Sequence, residues 1–173
     1  MKNFLKWGIY ITALNIVFMI VGYLAGWTTQ PIGRTMGWIA ALASLVLLFM
    51  GIREKKMQAP GDYTFGRGWV EGLLISLIAA VLFAIFFFIF TDVINPEMLD
   101  YARSEAYKNM TAQNVPKDQI EQAKKMMDFF ISPTGFAIWT LVMYTLGGMV
   151  ISLIFAPIIK SMGGGNSTPA ETV

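Results

Sequence analysis

The chain contains neither cysteine nor histidine, and these two absences exclude several kinds of site. Without cysteine there are no disulfides, iron–sulfur clusters, thiolate zinc sites or cysteine nucleophiles. Without histidine the chain lacks the commonest metal ligand and general base, and a Ser-His-Asp triad is excluded. The sequence therefore predicts a protein that is not an enzyme and that holds no metal or cofactor.

Charged residues are also scarce. They make up 14% of the 173 residues, against roughly a quarter in a typical soluble domain. The hydrophobic share of 55% excludes a disordered chain. Lys and Arg number 13 and Asp and Glu 11, so there is no strong basic field, and we expect no binding of nucleic acid.

Four long stretches carry no charge at all and predict membrane-spanning helices over residues 7–26, 35–52, 72–91 and 133–159. A bilayer core is about 30 Å thick and is crossed by helices of at least ~18 apolar residues. Helices are required because a spanning chain must satisfy its own backbone hydrogen bonds. The sequence thus predicts an all-α integral membrane four-helix bundle, a single domain over residues 1–162. Ser132 and Pro133 resemble a capping residue followed by proline at the first helical position, which predicts the start of the fourth helix.

The segment between the third and fourth predicted spans has a different pattern, typical of two amphipathic helices. Asn95 and Pro96 resemble a capping residue followed by proline at the first helical position. Around Pro116 the chain breaks, and a second helix follows with Ile120 and Met127 on its apolar face. We expect an extramembrane helical hairpin over residues 95–131, with apolar faces covered by each other, by the bilayer or by a partner. The glycine-rich tail, residues 163–173, is predicted to be flexible.

The loop between the second and third spans is rich in basic and aromatic residues. Its aromatic and basic residues alternate after Asp62, which suggests an extended stretch in the lipid headgroup zone. Basic side chains there are suited to anionic lipid. The predicted lipid or interface contacts are Arg53, Lys55, Lys56, Tyr63, Phe65, Arg67 and Trp69.

The distribution of basic residues predicts the orientation. Seven lie before the first span, between the second and third, or after the fourth, namely Lys2, Lys6, Arg53, Lys55, Lys56, Arg67 and Lys160. On the other side lie Arg34 and five basic residues that are spread over about 40 residues between the third and fourth spans, so that side is less densely basic. Because basic residues of short loops stay in the cytoplasm, we expect both termini to be cytoplasmic.

Polar and small residues inside the spans are best explained by helix packing. Asn15, Ser44 and Ser152 are among the polar residues expected to form hydrogen bonds within or between helices, and Glu71 and Asp92 are expected at the interfaces. Small residues recur at four-residue spacing, which allows close helix approach. These sets are Gly22/Gly26, Ser76/Ala80/Ala84 and Gly148/Ser152/Ala156.

The order of several short motifs resembles that of domain-of-unknown-function family four-one-nine-nine. These motifs are Gly51-Ile52-Arg53, Gly61 ahead of Tyr63-Thr64-Phe65-Gly66-Arg67, Asn95-Pro96-Glu97-Met98, and Ser152-Leu153-Ile154 before Lys160. The resemblance implies a small multi-pass protein of the bacterial inner membrane, mainly from Bacteroidota. The family has no established activity, so the resemblance implies no catalytic or binding residues.

Two functional hypotheses follow. The first is a non-enzymatic protein that binds or organises a partner, either another membrane protein or a second copy, through the hairpin or the basic loop. The alternative is a small transporter or channel subunit, which predicts a membrane-buried charge or a polar-lined face. The sequence indicates neither feature, and it offers no acid–base set for an interfacial enzyme, so the first hypothesis is favoured.

Overall fold

The computed structural model describes residues 2–28, 30–113 and 116–162, and this part of the chain contains helices and no β-strand. A short 3₁₀ turn precedes the third helix and a π-helical turn follows it, at Pro60–Asp62 and Phe90–Ile94. The helices are α1 (Asn3–Leu24), α2 (Pro31–Gln58), α3 (Phe65–Ile89), α4 (Glu97–Ala112), α5 (Lys117–Phe130) and α6 (Pro133–Ser161).

Within the described residues, four helices are long and apolar enough to cross a membrane, and the predicted all-α architecture is confirmed. They are α1, α2, α6, and α3 together with the π-helical turn. The helices extend beyond the uncharged stretches, since α2 continues to Gln58 and α3 begins at Phe65. Helical hydrogen bonds continue past the first charged residue, so a prediction based on uncharged runs makes these helices too short.

The bundle is organised around α3, which packs most extensively on α6 and also contacts α1 and α2. Small residues form the α3–α6 contact. Ser76, Ala80 and Ala84 of α3 are buried, as are Gly148, Ser152 and Ala156 of α6. A methyl group on Gly148 would overlap the Ser76 side chain. Close approach of these helices therefore depends on these small residues, as the four-residue spacing predicted.

Of the predicted pair Gly22/Gly26, Gly22 is buried in α1, whereas Gly26 lies just after the helix and has a different role from the one predicted. Gly26 is exposed and adopts a φ of 68°, a left-handed conformation in which glycine is favoured. Beside it, Trp27 N–H donates to Gly22 O at 2.8 Å. Gly26 thus terminates α1 rather than packing it against another helix.

The buried apolar core lies toward the end of the bundle where α1 begins. It includes Trp7, Ile52, Ile75 and Ile159, drawn from α1, α2, α3 and α6. Large apolar side chains on the outer faces are exposed, for example Trp38 at 69% and Leu42 at 63%. Apolar side chains on the outer surface are expected where lipid rather than water surrounds the helices.

Helices α4 and α5 form as predicted, but they make little contact with each other. The apolar residues Met126, Phe129 and Phe130 of α5 are 64%, 57% and 47% exposed. Mutual packing therefore does not cover the apolar face of α5.

Two predicted helix starts have different outcomes. The Ser132 hydroxyl accepts a 3.0 Å hydrogen bond from Gly135 N–H and caps α6 as predicted. The capping role predicted for Asn95 is wrong. Pro96 occupies the N-cap position of α4, and Asn95 Nδ2 is buried without a hydrogen-bond partner among the described residues. The backbone N–H of Asn95 donates to Phe90 O at 2.7 Å and so closes the preceding π-helical turn, and α4 begins at Glu97.

Candidate functional site

One end of the bundle brings together the first residues of α1 and α3 and the last turns of α2 and α6. There the Asn3 side-chain amide donates 2.9 Å hydrogen bonds to Gly51 O and to Glu71 Oε1. Lys55 Nζ lies 3.7 Å from Glu71 Oε2. Glu71 is only 4% exposed. A buried carboxylate therefore joins three helices, because a buried charge requires a partner and hydrogen bonds.

A second carboxylate ties α1 to α2 nearby. Glu54 accepts hydrogen bonds from Lys6 Nζ and, at 2.8 Å, from Trp7 Nε1. The Lys6 and Glu54 side chains are 28% and 31% exposed, so this pair lies nearer the surface than Glu71. Together the two carboxylates hold the start of α1 against the end of α2 and the start of α3.

Three of the seven predicted interface residues donate hydrogen bonds to carbonyl groups of α6. Lys56 Nζ donates to Ile159 O at 2.7 Å and to Lys160 O at 3.0 Å. A lysine at this position satisfies carbonyl groups that a helix C-terminus leaves without intrahelical partners. The Tyr63 hydroxyl donates to an α6 carbonyl at 3.4 Å and Trp69 Nε1 to another at 3.3 Å, those of Ala156 and Met149.

Three others, Arg53, Phe65 and Arg67, are exposed at the same end. Arg67 donates to Asp62 O at 2.8 Å and pairs with the Asp62 carboxylate at 3.2 Å. The seventh, Lys55, pairs with Glu71. Contact of these residues with lipid stays a prediction, and it is most direct for the three exposed ones.

The predicted extended conformation of this stretch is wrong. Thr64 Oγ1 accepts a 3.2 Å hydrogen bond from Arg67 N–H, and α3 begins at Phe65. The alternating aromatics therefore lie around the first turn of a helix. Tyr63, just before the cap, is half-buried, and this burial raises its pKa above the usual value.

The burial of Glu71 is the main feature that sequence reasoning missed. It was expected in a membrane interface because it immediately precedes an uncharged run. The partner Asn3 lies 68 positions away, and nothing local marks the two as neighbours. The signal available in the sequence was Asn3 itself, a polar residue that lies between Lys2 and Lys6 at the start of an apolar helix.

A smaller polar cluster lies midway along the spanning helices. Asn15 Nδ2 donates to Ser44 Oγ at 2.8 Å, and the Tyr144 hydroxyl donates to Asn15 Oδ1 at 2.9 Å. The cluster joins α1, α2 and α6. It explains Asn15 and Ser44 as helix–helix contacts, as predicted.

These features define the class of the protein, a multi-pass helical membrane protein with a peripheral helical segment. In the described part of the chain, no group of three or more acidic residues is placed to hold a metal ion. The profile of a family described as "Protein of unknown function (DUF4199)" matches residues 6–161, so the chain belongs to that family. No curated protein and no solved structure matches it.

Proposed function

We propose that this protein is a non-enzymatic binding protein of the bacterial inner membrane, with both termini in the cytoplasm. Its partner is another membrane protein, which contacts the apolar face of α5 on the extracytoplasmic side. The observation that carries this proposal is the exposure of Met126, Phe129 and Phe130. Exposed apolar patches of this kind mark interaction sites, and methionine adapts well to a partner surface.

The arrangement of α4 and α5 supports a binding role for this segment. Membrane insertion requires the four long helices and does not require two further helices between α3 and α6. Of these, α5 makes its principal contacts with α6 and few with α4. Its apolar face thus stays available next to the membrane surface, where a neighbouring membrane protein would meet it.

The distribution of charge supports the proposed orientation. The bundle end where α1 begins also holds the ends of α2 and α6, and with them seven of the 13 basic residues of the chain. Retention of basic residues in the cytoplasm would place that end inside the cell and α5 outside.

The alternative, a small transporter or channel subunit, receives less support. Its path would need charged or polar groups facing an accessible cavity. Glu71 is buried, but Asn3 and Lys55 hold it at one end of the bundle. The cavities between the spanning helices are lined mainly by apolar and small residues.

The test is site-specific photo-crosslinking in native membranes. A photoreactive residue at Met126 is compared with one at Lys124, which is exposed on the opposite face of α5. We expect a specific protein adduct from Met126 and none from Lys124. Adducts with lipid alone, or with a second copy of the chain, would contradict the proposal of a different membrane-protein partner.

A deletion provides the complementary test. Replacing residues 97–127 by a flexible linker should leave insertion and bundle stability intact, because the long helices pack without this segment. The same partner should then be lost from crosslinks made at other extracytoplasmic positions. A truncated protein that keeps its partner would show that the segment is only a spacer.

A further inference from the structure

Two cavities lie between the spanning helices, one on each side of the Asn15–Tyr144 hydrogen bond. The first, about 190 Å³, extends toward the core and is lined by residues that include Ile11, Leu48 and Ile151. The second, about 360 Å³, extends toward α4 and is lined by residues that include Gly22, Phe87 and Met98. Tyr144 and Ala41 line both cavities. The cavities therefore follow each other along the bundle, with the polar cluster at their junction.

The first cavity opens sideways between α2 and α6, which contact each other much less than α3 contacts α6. Ala41 of α2 and Met143 and Gly147 of α6 line the first cavity and are exposed. A methyl group on Gly147 would meet no atom within 4 Å. Since both helices cross the membrane, the opening faces the bilayer interior, and molecules dissolved there have direct access.

The lining restricts the charge of a ligand. The residues that line the two cavities are apolar or neutral, with Asn15, Ser44 and Tyr144 among the polar ones. An ion entering from lipid would meet no compensating charge, and the cost of burying an unpaired charge is high. The cavities are therefore suited to an uncharged molecule with a long apolar part.

The hydrogen bonds of the cluster restrict the ligand further. Both N–H groups of Asn15 are used, by Ile11 O and Ser44 Oγ, each at 2.8 Å. The Ser44 hydroxyl donates to Ala40 O at 2.8 Å and the Tyr144 hydroxyl to Asn15 Oδ1 at 2.9 Å. The donors of the three side chains are thus occupied, whereas the Tyr144 oxygen and Asn15 Oδ1 retain accepting capacity. A ligand that bonds to this cluster therefore donates a hydrogen bond to it.

We propose that these cavities form a binding site for an uncharged membrane lipid that carries a hydroxyl or amide N–H group. The apolar chain lies in the cavities, and the donor group contacts Tyr144 or Asn15 where they meet. None of the lining residues belongs to α5, so lipid binding here can be tested independently of the proposed membrane-protein partner.

The first experiment compares two lipids that differ in hydrogen-bond donors. The protein is placed in phosphatidylcholine nanodiscs containing equal amounts of 1-monoolein, which has hydroxyl groups, or methyl oleate, which has acceptors only. Lipid retained after detergent extraction is measured by mass spectrometry. We expect monoolein to be retained up to about tenfold better, the value of one hydrogen bond. Equal retention of the two lipids would overturn the proposal.

Two substitutions locate the site. Gly147→Leu fills the opening of the first cavity and should abolish selective retention of monoolein. Leu146→Phe, at an exposed neighbouring position outside the cavity lining, should leave it unchanged. Matching thermal unfolding of the two variants verifies that the bundle is intact, and unchanged retention in Gly147→Leu would contradict the assignment.

A third variant tests the hydrogen-bond selectivity. Asn15→Leu frees the Tyr144 hydroxyl to donate to an ester carbonyl, so the preference for monoolein over methyl oleate should narrow. A preference that persists unchanged in this variant would show that the cluster does not select the ligand.

Discussion

The amide of Asn3 donates a 2.9 Å hydrogen bond to the carboxylate of Glu71, although 68 positions separate the two residues. Glu71→Ala should lower the free energy of unfolding by about 1–3 kcal/mol, because the buried amide loses an acceptor and Lys55 loses its counter-charge. Glu71→Gln should lower it less, since a carboxamide oxygen still accepts from Asn3. Denaturation in detergent measures both.

Asp62 offers a matched control for this prediction. Its carboxylate also pairs with a basic residue, but its side chain is 74% exposed. Exposed ion pairs contribute little, so Asp62→Ala should change stability by less than about 1 kcal/mol. An equal effect of the Asp62 and Glu71 substitutions would indicate that burial of Glu71 does not matter for stability.

Much of the fold follows from the sequence because its cause is local. Four uncharged runs predict four membrane helices, and Ser132 with Pro133 predicts the start of α6. The helix ends were less predictable, since helical hydrogen bonds extend past the charges that limit a hydropathy run. The extended stretch around Phe65 was wrong because capping by Thr64 outweighs an alternating pattern.

The polar contacts between helices could not be predicted in the same way. The residue types at Asn15 and Ser44 indicated hydrogen bonding, but the partner Tyr144 lies 129 positions from Asn15. Likewise, Lys56 was predicted to contact lipid, whereas it lies against the last carbonyls of α6. Such pairings depend on the relative rotation and depth of helices, which a single sequence does not encode locally.

Adjacent glycines in α6 provide a packing prediction. A methyl group on Gly148 would overlap Ser76, whereas one on Gly147 meets nothing. Gly148→Ala should therefore destabilise the bundle by about 1–3 kcal/mol through overpacking. Gly147→Ala should be neutral or stabilising by up to about 1 kcal/mol, because alanine favours helix. Thermal unfolding measures both changes. Equal stabilities of the two variants would contradict close packing of α3 against α6.

The proposed orientation predicts the accessibility of introduced cysteines, and the native chain has none to interfere. Lys108→Cys on α4 and Gln58→Cys at the end of α2 both replace exposed residues. In spheroplasts, a membrane-impermeant maleimide should label position 108 directly and position 58 only after permeabilisation. The reverse pattern would invert the topology.

Burial of Tyr63 predicts a change in stability at alkaline pH. Its pKa is raised in the folded protein, so the unfolded state loses the phenolic proton first. The stability that Tyr63 contributes is therefore present below its unfolded pKa of about 10 and is lost as the pH rises through the folded value. Tyr63→Phe should reduce the alkaline loss of stability, and Tyr101→Phe, an exposed control on α4, should not.

The hydrogen bond between Tyr144 and Asn15 predicts a measurable coupling between α6 and α1. Hydrogen bonds within membrane bundles contribute about 0.6 kcal/mol on average and up to about 1.7 kcal/mol. Because Asn15 also bonds to Ser44, Tyr144→Phe and Asn15→Leu disturb one network, and their effects should not add. A double-mutant cycle on the free energy of unfolding should give a coupling in that range. As a control, a cycle that pairs Asn15→Leu with Tyr10→Phe, at an exposed residue of α1, should give no coupling. Full additivity of Asn15→Leu and Tyr144→Phe would show that their hydrogen bond does not stabilise the bundle.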